Sequence, residues 1–206
     1  VSEEGSKAMI TALIGGEPSQ ILSFNRALDV LAALRSGKID GFASHQFAAD
    51  YLLKRNSDVI SIPVLDIPIE GQAIMAVRSE DTKLKAQLDS AILILKDNGM
   101  IATLEEEWIT NLPAENEPAF SEIPVIEGAA TYYVGVSGDL PPLDYVAADG
   151  FPAGFNVALL SEIGKILNVN FKFVSLETQA RFTALASKKI DVVFCHFQSS
   201  NTNYFD

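Results

Sequence analysis

The stretch ALRSGKID at residues 33–40 recurs as ALASKKID at residues 184–191. In each copy the last apolar residues of a helical pattern are followed by small or basic residues, an Ile-Asp pair and a short apolar run, which predicts helix, turn and strand. A helix near Asn25 to Ser36 is therefore expected to lead into a strand at Ile39 to Ala43. Two copies of one unit predict two related lobes that face each other across a cleft.

The second copy stands in a pattern of strand, helix and strand. Strands are predicted at Tyr132 to Val136 and at Asn170 to Val174, because both runs are rich in β-branched and aromatic residues. An amphipathic helix is predicted between them, with an apolar face formed by Leu159, Leu160, Ile163, Ile166 and Leu167. Strand, helix and strand in this order indicate a parallel βαβ unit, so the expected fold class is α/β.

The region between the two copies contains two further helices and an irregular stretch. Helical spacing predicts one helix that ends at Asn98-Gly99, where a left-handed residue can stop it; its apolar face is Leu84, Leu88, Ala91, Ile92 and Leu95. A short helix with Ile101, Leu104 and Trp108 on one face follows. Asn111 to Gly128 holds three prolines and four glutamates without periodicity, which is typical of a linker.

Composition excludes several classes of protein. The 206 residues are 48% hydrophobic, which is enough for a buried core and argues against disorder. With 15 Lys and Arg against 27 Asp and Glu, the formal net charge of −12 disfavours nucleic acid and anionic membrane surfaces as partners. No apolar run reaches the roughly 18 to 20 residues that a transmembrane helix needs. The single cysteine, Cys195, cannot form an internal disulfide, and no zinc-binding spacing is present, so no cofactor is expected.

The two histidines follow the repeated aspartates at the same distance. His45 and His196 each lie five residues after the aspartate, where a short strand is expected to end. Ligands of open parallel sheets bind outside the carboxyl ends of strands, so both histidines are candidates for a ligand site, although either side chain could instead bond to a neighbouring loop. Asp40 and Asp191 are expected to cap or pair locally. Cys195 and His196 are neighbours on a strand and should point to opposite faces, which argues against a catalytic dyad.

Several segments together resemble one protein family. They are TYYVGVSGDLPPLDYVAADGFPAGFNVALLSEIGKIL and LASKKIDVVFCHFQ in residues 131–206, and VSEEGS, LRSGKIDGFASHQFAADYLL, IPIEGQAIMAVRSED and LKDNGMIATLEEEWI in residues 1–109. In this number and order they resemble the polar amino acid type, family 3, of periplasmic solute-binding protein, the bilobal "Venus flytrap" receptors. The resemblance implies a type II periplasmic-binding-protein-like fold with two α/β lobes and a hinge.

The two halves stand in the reverse of the family's order. The expected segments are 1–70, similar to lobe 2; 71–110, the helices that return to lobe 1; 111–130, a linker; and 131–206, the N-terminal βαβ part of lobe 1. Either a junction between tandem receptor domains, which the linker favours, or a circular permutation explains this order. In both cases lobe 1 can be assembled from residues 71–206, whereas lobe 2 lacks its opening strands and exposes strand edges.

The resemblance also implies where the ligand would bind. The family's carboxylate-binding arginine aligns with Asn203 and its ammonium-binding aspartate with His45, so neither charged anchor is kept. The family's lobe 1 acidic residue aligns with Ser137, two positions before Asp139. Aromatic positions fall on Leu140 and Thr178, and Ser6 keeps a hydroxyl position. With residues of the strand after the second repeat, the expected ligand-binding set is Ser6, His45, Ser137, Asp139, Leu140, Thr178, Cys195, His196, Gln198 and Asn203.

The function implied is binding, not catalysis. Tandem flytrap domains resemble the extracytoplasmic inputs of membrane-bound signalling proteins, so a periplasmic or extracellular solute-binding sensory domain is expected, and the loss of both charged anchors implies that it is degenerate for amino acid binding. The alternative is the substrate-binding component of an ABC amino acid importer. The expected partners are a small polar solute or none, a membrane-embedded signalling partner or permease, and a second copy bound through the incomplete lobe 2. An enzyme is the third possibility, because related folds include dehydratases.

Overall fold

The computed structural model describes residues 11, 21–22, 24, 27–44, 46–62, 71–113, 125–147 and 150–199; at 27–28, 71–73, 139, 178–179 and 195–199 it describes the backbone alone. The helices are α1 (Ala27–Arg35), α2 (Gln46–Arg55), α3 (Thr82–Asp97), α4 (Met100–Glu105), the π-helical turn π1 (Glu106–Thr110), α5 (Phe155–Leu167) and α6 (Thr178–Ala186). The strands are β1 (Gly71–Ala76), β2 (Thr131–Val136), β3 (Asp139–Leu140), β4 (Asp144–Val146), β5 (Pro152–Ala153), β6 (Asn170–Ser175) and β7 (Val192–Ser199).

The main sheet has four strands in the order β1-β7-β2-β6. Strand β2 is parallel to both neighbours, with Val134 opposite Phe173 on one side and Val192 on the other. Strand β1 closes the sheet antiparallel to β7. Because α5 lies in the crossover from β2 to β6, the predicted βαβ unit and the α/β fold class are confirmed. A small antiparallel sheet, β3-β4-β5, interrupts that crossover.

Helices cover both faces of the main sheet. On β7, Val192 and Phe194 pack into the larger hydrophobic cluster, whereas Val193 packs with Ile190 into a smaller one, as the alternation of a strand requires. Helices α3, α4 and α5 build the larger cluster and α6 the smaller one. Burying each large aliphatic side chain contributes about 1.5–3 kcal/mol. The helical residues of the larger cluster include Leu84, Leu88, Ala91, Leu95, Leu104, Trp108, Leu160 and Ile163.

Helix α3 ends where the sequence predicts. Its buried residues are four of the five predicted ones, and Ile92 is partly buried against the same cluster. Gly99 follows with a φ of +79°, which is left-handed, and Asn98 accepts a hydrogen bond from Met100 N–H at 3.0 Å. The chain therefore turns within two residues, and α4 and π1 place Trp108, 2% exposed, in the core.

The two copies of the repeat end their helices in the same way. Lys38 N–H donates to Ala33 C=O and Lys189 N–H to Ala184 C=O, each at 2.9 Å. The left-handed position is Gly37 in the first copy, at φ +69°, and Lys188 in the second, at φ +59°. The turn predicted from the repeat is therefore confirmed in both copies.

The strand predicted at Ile39 to Ala43 is wrong. Residues 39–44 are irregular, whereas the second copy leads directly into β7. Strand β7 lies between β2 and β1, which satisfy its backbone N–H and C=O groups. Within the described ranges, no strand pairs with residues 39–44, and an unpaired strand leaves those groups to water.

Asp191 joins the two halves of the chain. Its Oδ2 accepts a hydrogen bond from Tyr133 N–H at 2.9 Å, and its Oδ1 accepts one from Arg78 Nη2 at 2.9 Å. Arg78 Nη1 also donates to the carbonyls of Ile190 at 2.6 Å and Leu185 at 3.2 Å. The expectation that Asp191 caps or pairs locally is wrong, because its partners Arg78 and Tyr133 lie 113 and 58 residues away in the sequence. We call Arg78, Asp191 and these carbonyls the Arg78 cluster.

Helix α2 packs against the end of π1. Lys54 Nζ donates to the carbonyls of Thr110 and Leu112 at 3.2 and 3.1 Å. The first of these belongs to the last residue of π1, where carbonyls lack a partner within the helix. The ring of Tyr51 lies 6.2 Å from that of Tyr145 on β4. Residues of the first segment thus contact residues of both later segments. No helix in the described part of the chain has the length and apolar character needed to cross a membrane.

Candidate functional site

The carboxyl ends of β2 and β6 form one edge of the main sheet. Val136 pairs with Ser175 at the end of the two parallel strands, and Ser137 follows directly. On the other side of β2, Gly135 is level with Val193, so Phe194 comes next to the same edge. This edge is where open parallel sheets bind ligands. We call it the carboxyl edge.

A buried carboxylate organises the first loop of the carboxyl edge. Asp144, 1% exposed, accepts hydrogen bonds at Oδ1 from Ser137 Oγ at 2.6 Å and from Gly138 N–H at 2.7 Å. Its Oδ2 accepts one from Asn156 Nδ2 at 2.8 Å, and Asn156 is itself 2% exposed. Three donors around a buried carboxylate replace its lost hydration. The loop after β2 is therefore held in one conformation by a residue seven positions along the chain.

Gly138 allows this loop to approach β6. Its φ is +72°, and a Cβ there would lie 2.8 Å from Ser175 Oγ. Ser175 Oγ donates to Ser137 C=O at 2.9 Å, which ties the ends of the two strands together. A side chain at this position would be strained and would also push against that hydroxyl.

A small cavity opens beside this loop. Its volume is about 70 Å³, and its lining is mainly apolar. That volume accommodates about two water molecules or a short aliphatic group, since a water occupies roughly 30 Å³ in the liquid. The lining includes Val136, Gly138, Asp144, Tyr145, Phe173 and Ser175.

A buried cation lies next to the carboxyl edge. Arg181 on α6 is 5% exposed, and its Nη1 donates to Phe194 C=O at 3.0 Å. Its Nε is buried and makes no hydrogen bond, and among the residues that the structure describes no carboxylate pairs with it. An uncompensated buried charge costs several kcal/mol. The guanidinium is thus placed to gain from an anion that approaches the edge.

Gly135 leaves room for the side chain of Ile190. A Cβ at Gly135 would lie 2.6 Å from Ile190 Cδ1, whereas its distance of 3.6 Å from Arg181 Cγ would be an ordinary van der Waals contact. A larger residue at this position of β2 would therefore require the end of the Ile190 side chain to shift.

The structure describes part of the predicted ligand-binding set. Ser137 is partly exposed at the carboxyl edge, and Leu140 is a partly buried residue that packs against the larger core cluster. For other members the backbone alone is described: these are Asp139 in β3, Thr178 at the start of α6, and Cys195, His196 and Gln198 in β7. Ser6, His45 and Asn203 lie outside the described residues.

The position expected for His196 at the end of a strand is wrong. Strand β7 continues to Ser199, and His196 pairs with Ile74 of β1. The strand extends because β1 supplies an antiparallel partner beyond the point where β2 stops pairing. Within the described ranges no group of three His, Cys, Asp or Glu residues has the arrangement of a metal site.

Two buried polar residues of the site were not predicted. Asp144 lies between Leu143 and Tyr145 in a run that is otherwise apolar, and Arg181 precedes Ala184 and Leu185 by three and four residues, on the buried face of its helix. A charged residue at a position that the periodicity assigns to the core is the signal that would have found both.

Comparison with known proteins gives one family match. Residues 132–202 match the family model described as "Bacterial extracellular solute-binding proteins, family 3". No curated protein matches the chain.

Several solved structures are similar over part of the chain. An arginine-bound mutant of domain 1 of TmArgBP is 37% identical over 32% of this chain and 50% of that chain, with a TM-score of 0.30. A mutant of arginine-bound ArgBP from T. maritima is 35% identical over 32% of this chain and 30% of that chain, with a TM-score of 0.31. The L-cystine solute receptor of Neisseria gonorrhoeae is 27% identical over 36% of this chain and 32% of that chain, with a TM-score of 0.31. This chain spans half or less of the length of each.

Proposed function

We propose that this chain, whose residues 132–202 are part of a family 3 solute-binding domain, belongs to an extracytoplasmic sensory domain that binds a small carboxylate-bearing solute at the carboxyl edge. The observation that carries the proposal is Arg181, a buried guanidinium without a described carboxylate partner beside that edge. The alternative is the substrate-binding component of an ABC importer. The family match supports solute binding in both cases.

Arg181 supplies the cation that the aligned position Asn203 lacks. A guanidinium binds a carboxylate through two parallel N–H donors, and such charge-assisted bonds are about twice as strong as neutral ones. Arg181 Nε is buried and makes no hydrogen bond to the described residues, so a carboxylate that reaches it would gain a donor without breaking the bond from Nη1 to Phe194 C=O. The proposed ligand is therefore a carboxylate, with Ser137 as a second polar contact.

A thermal-shift screen with the twenty L-amino acids and simple carboxylates tests this proposal. A ligand at 100 times its Kd stabilises the native state by about 2.7 kcal/mol, which is roughly 5–10 °C in Tm for a chain of this size. Arg181→Met keeps the buried stem and removes the charge. We expect it to weaken binding at least about 30-fold, while Arg35→Met, an exposed arginine paired with Asp58, leaves binding unchanged.

The stability of ligand-free Arg181→Met separates a binding role from a structural one. If Arg181 is kept for a ligand, removing an uncompensated buried charge leaves the Tm unchanged or raises it. A large loss of stability with unchanged binding would assign Arg181 to the scaffold and remove the proposed anchor.

A sensory role and a transport role predict different behaviour of the whole polypeptide that contains this chain, which is membrane-bound in a sensor and released in an importer component. Antibodies against the chain, used after osmotic shock of the source cells, should detect a membrane-retained polypeptide much larger than 22.2 kDa. Release of a soluble protein with the periplasmic fraction would favour the importer component.

The segment order bears on how the lobes are built. Pairing of β1 with β7 and their common core support one lobe-1-like unit formed by residues 71–199, which a circular permutation also provides. Ile60 and Ile62 are 83% and 81% exposed, which supports association of two copies through the incomplete lobe 2. Light scattering should give a dimer for the chain and a monomer for Ile60→Lys/Ile62→Lys.

A binding role without catalysis is part of the proposal. The enzyme alternative depends on His196, and it predicts turnover of a small ester or a prephenate-like acid that disappears in His196→Ala. Absence of turnover in both proteins, together with ligand binding, supports the receptor.

A further inference from the structure

We propose that Asp144 is a positioning residue which makes Ser137 a hydrogen-bond acceptor toward the ligand, so that the site selects solutes with an N–H donor next to the carboxylate. The inference rests on the proposed function, because it assumes that the carboxyl edge binds a solute. It goes further by assigning a role to a residue that never touches the ligand.

The hydrogen bonds around Asp144 determine the direction of the Ser137 hydroxyl. The hydrogen-bond partners that the described residues give this carboxylate are all donors: Ser137 Oγ at 2.6 Å, Gly138 N–H at 2.7 Å and Asn156 Nδ2 at 2.8 Å. A carboxylate only accepts, and a hydroxyl has one proton. The proton of Ser137 is therefore committed to Asp144, and only its oxygen lone pairs remain for a ligand.

The network is built to hold this arrangement. Asp144 and Asn156 are 1% and 2% exposed, so water does not compete for their hydrogen bonds. Asn156 N–H donates to Leu143 C=O at 2.8 Å, which fixes the start of α5 against β4. Ser137 itself stays partly exposed at the carboxyl edge, and Ser175 holds its carbonyl. These hydrogen bonds thus hold Ser137 in place and leave its hydroxyl oxygen as the acceptor for a ligand.

The consequence for recognition is a preference between near-identical ligands. An amino acid places an ammonium group beside its carboxylate, whereas the corresponding 2-oxo acid places an acceptor there. An acceptor facing the lone pairs of Ser137 leaves both groups without a partner, and such mismatches discriminate strongly. We expect the wild-type protein to bind an L-amino acid at least about 10-fold more tightly than its 2-oxo acid.

The experiment measures this ratio by calorimetry for the tightest-binding L-amino acid of the screen and its 2-oxo acid. Asp144→Ala frees the Ser137 proton to donate to the oxo oxygen, so the ratio should fall to within about threefold of one. Ser137→Ala should lower the ratio to the same level. Asp144→Asn keeps an acceptor oxygen for the hydroxyl and should restore a ratio of at least about fivefold. The control is Ser187→Ala, whose hydroxyl donates to Ala184 C=O at the far end of α6; its ratio should equal that of wild type.

The outcomes distinguish this inference from the proposed function. If wild type binds no amino acid or carboxylate, the proposed function fails and the inference fails with it. If wild type binds but Asp144→Ala keeps the full ratio and loses only Tm, Asp144 is structural and the inference alone is overturned. It is also overturned if Asp144→Asn loses the ratio as completely as Asp144→Ala, because the charge would then act without the hydroxyl. Should Asp144→Ala not fold, Asp144→Leu, which fills the space without an acceptor oxygen, takes its place with the same expected ratio.

Discussion

Substitution of Arg78 tests whether the two halves of the chain form one cooperative unit. Arg78 follows β1 and its side chain is 11% exposed, while the Asp191 side chain that it contacts at the start of β7 is 24% exposed. Its Nε also lies 2.7 Å from Asp81 Oδ2, within its own segment. Burial lowers the pKa of the guanidinium, but the hydrogen bond to Asp191 and the charges of both aspartates outweigh it and raise the pKa overall. Arg78 is therefore charged at every ordinary pH.

The expected loss follows from the groups that Arg78→Ala leaves unpaired. Breaking a buried ion pair by removing one partner costs about 3–5 kcal/mol, and Asp191 is exposed enough to recover part of its hydration. Two carbonyls, of Leu185 and Ile190, also lose their donor, at about 0.5–1.5 kcal/mol each. We expect the free energy of unfolding to fall by about 2–4 kcal/mol. Arg78→Lys keeps the charge but not the planar guanidinium, so its free energy of unfolding should lie between those of wild type and Arg78→Ala.

Urea unfolding followed by Trp108 fluorescence is the assay, because Trp108 is buried in the core that both halves share. Arg35→Ala is the matched control, since its ion pair with Asp58 is half exposed and such pairs contribute little. A single transition that shifts to lower urea in Arg78→Ala supports one unit. If Arg78→Ala and Arg35→Ala have the same midpoint, or if two transitions separate, the reasoning about the Arg78 cluster is refuted.

Three further predictions concern single positions. Asn156→Asp places a second carboxylate against Oδ2 of Asp144, 2.8 Å away, and should lower stability at pH 7 by about 2–4 kcal/mol with recovery as the pH falls; an unchanged pH profile of urea midpoints contradicts this. Gly154→Ala, at φ +108° with a Cβ 2.5 Å from a backbone carbonyl oxygen, should cost more than 3 kcal/mol or prevent folding, as circular dichroism will show. The hydrogen bond from Arg35 lowers the pKa of Asp58 in the folded protein. The stability that this bond contributes is therefore present above the ordinary carboxyl pKa and is lost as the pH falls through the lowered pKa of Asp58. The urea midpoint of Asp58→Asn should accordingly depend less on pH in the acid range than that of wild type.

Periodicity predicted the elements whose neighbours lie close along the chain. Strands β2 and β6 and helices α3 and α5 follow from their own residues, because each buries one face or alternates sides within a few residues. The strand at Ile39 to Ala43 was wrong because the same apolar run needs partners from elsewhere in the chain, and local sequence contains no information about them. The extension of β7 past His196 has the same cause, since its partner strand β1 lies far away in the sequence: Ile74, which pairs with His196, is 122 residues earlier.

The candidate site contains residues that the sequence analysis named and residues that it did not name. The rule that ligands bind at the carboxyl ends of parallel strands led to His45 and His196, whereas Ser137, which follows β2, was named only from the family resemblance. At Asn203 and His45, the positions that align with the family's two charged anchors, the sequence has no arginine and no aspartate. The buried charged residues near the carboxyl edge are Asp144 and Arg181. Both lie in runs that periodicity assigns to the core, where the role of a charged residue is recognised only once its partners are known.

The two copies of the repeat separate what a local motif determines from what its tertiary contacts determine. Both copies end a helix with a hydrogen bond from a lysine backbone N–H to an alanine carbonyl, and both have a left-handed residue at the same position of the repeat. These features are therefore shared by the two eight-residue copies. The second aspartate, Asp191, accepts hydrogen bonds from an arginine and from a strand N–H, whereas Asp40 is exposed and has no such partner among the residues that the structure describes. Because the turn is equal in both copies, it cannot be what directs the second one into the sheet. The difference lies in Arg78, β1 and β2, and adding a strand partner for residues 39–44 should therefore convert the first copy into the same helix, turn and strand.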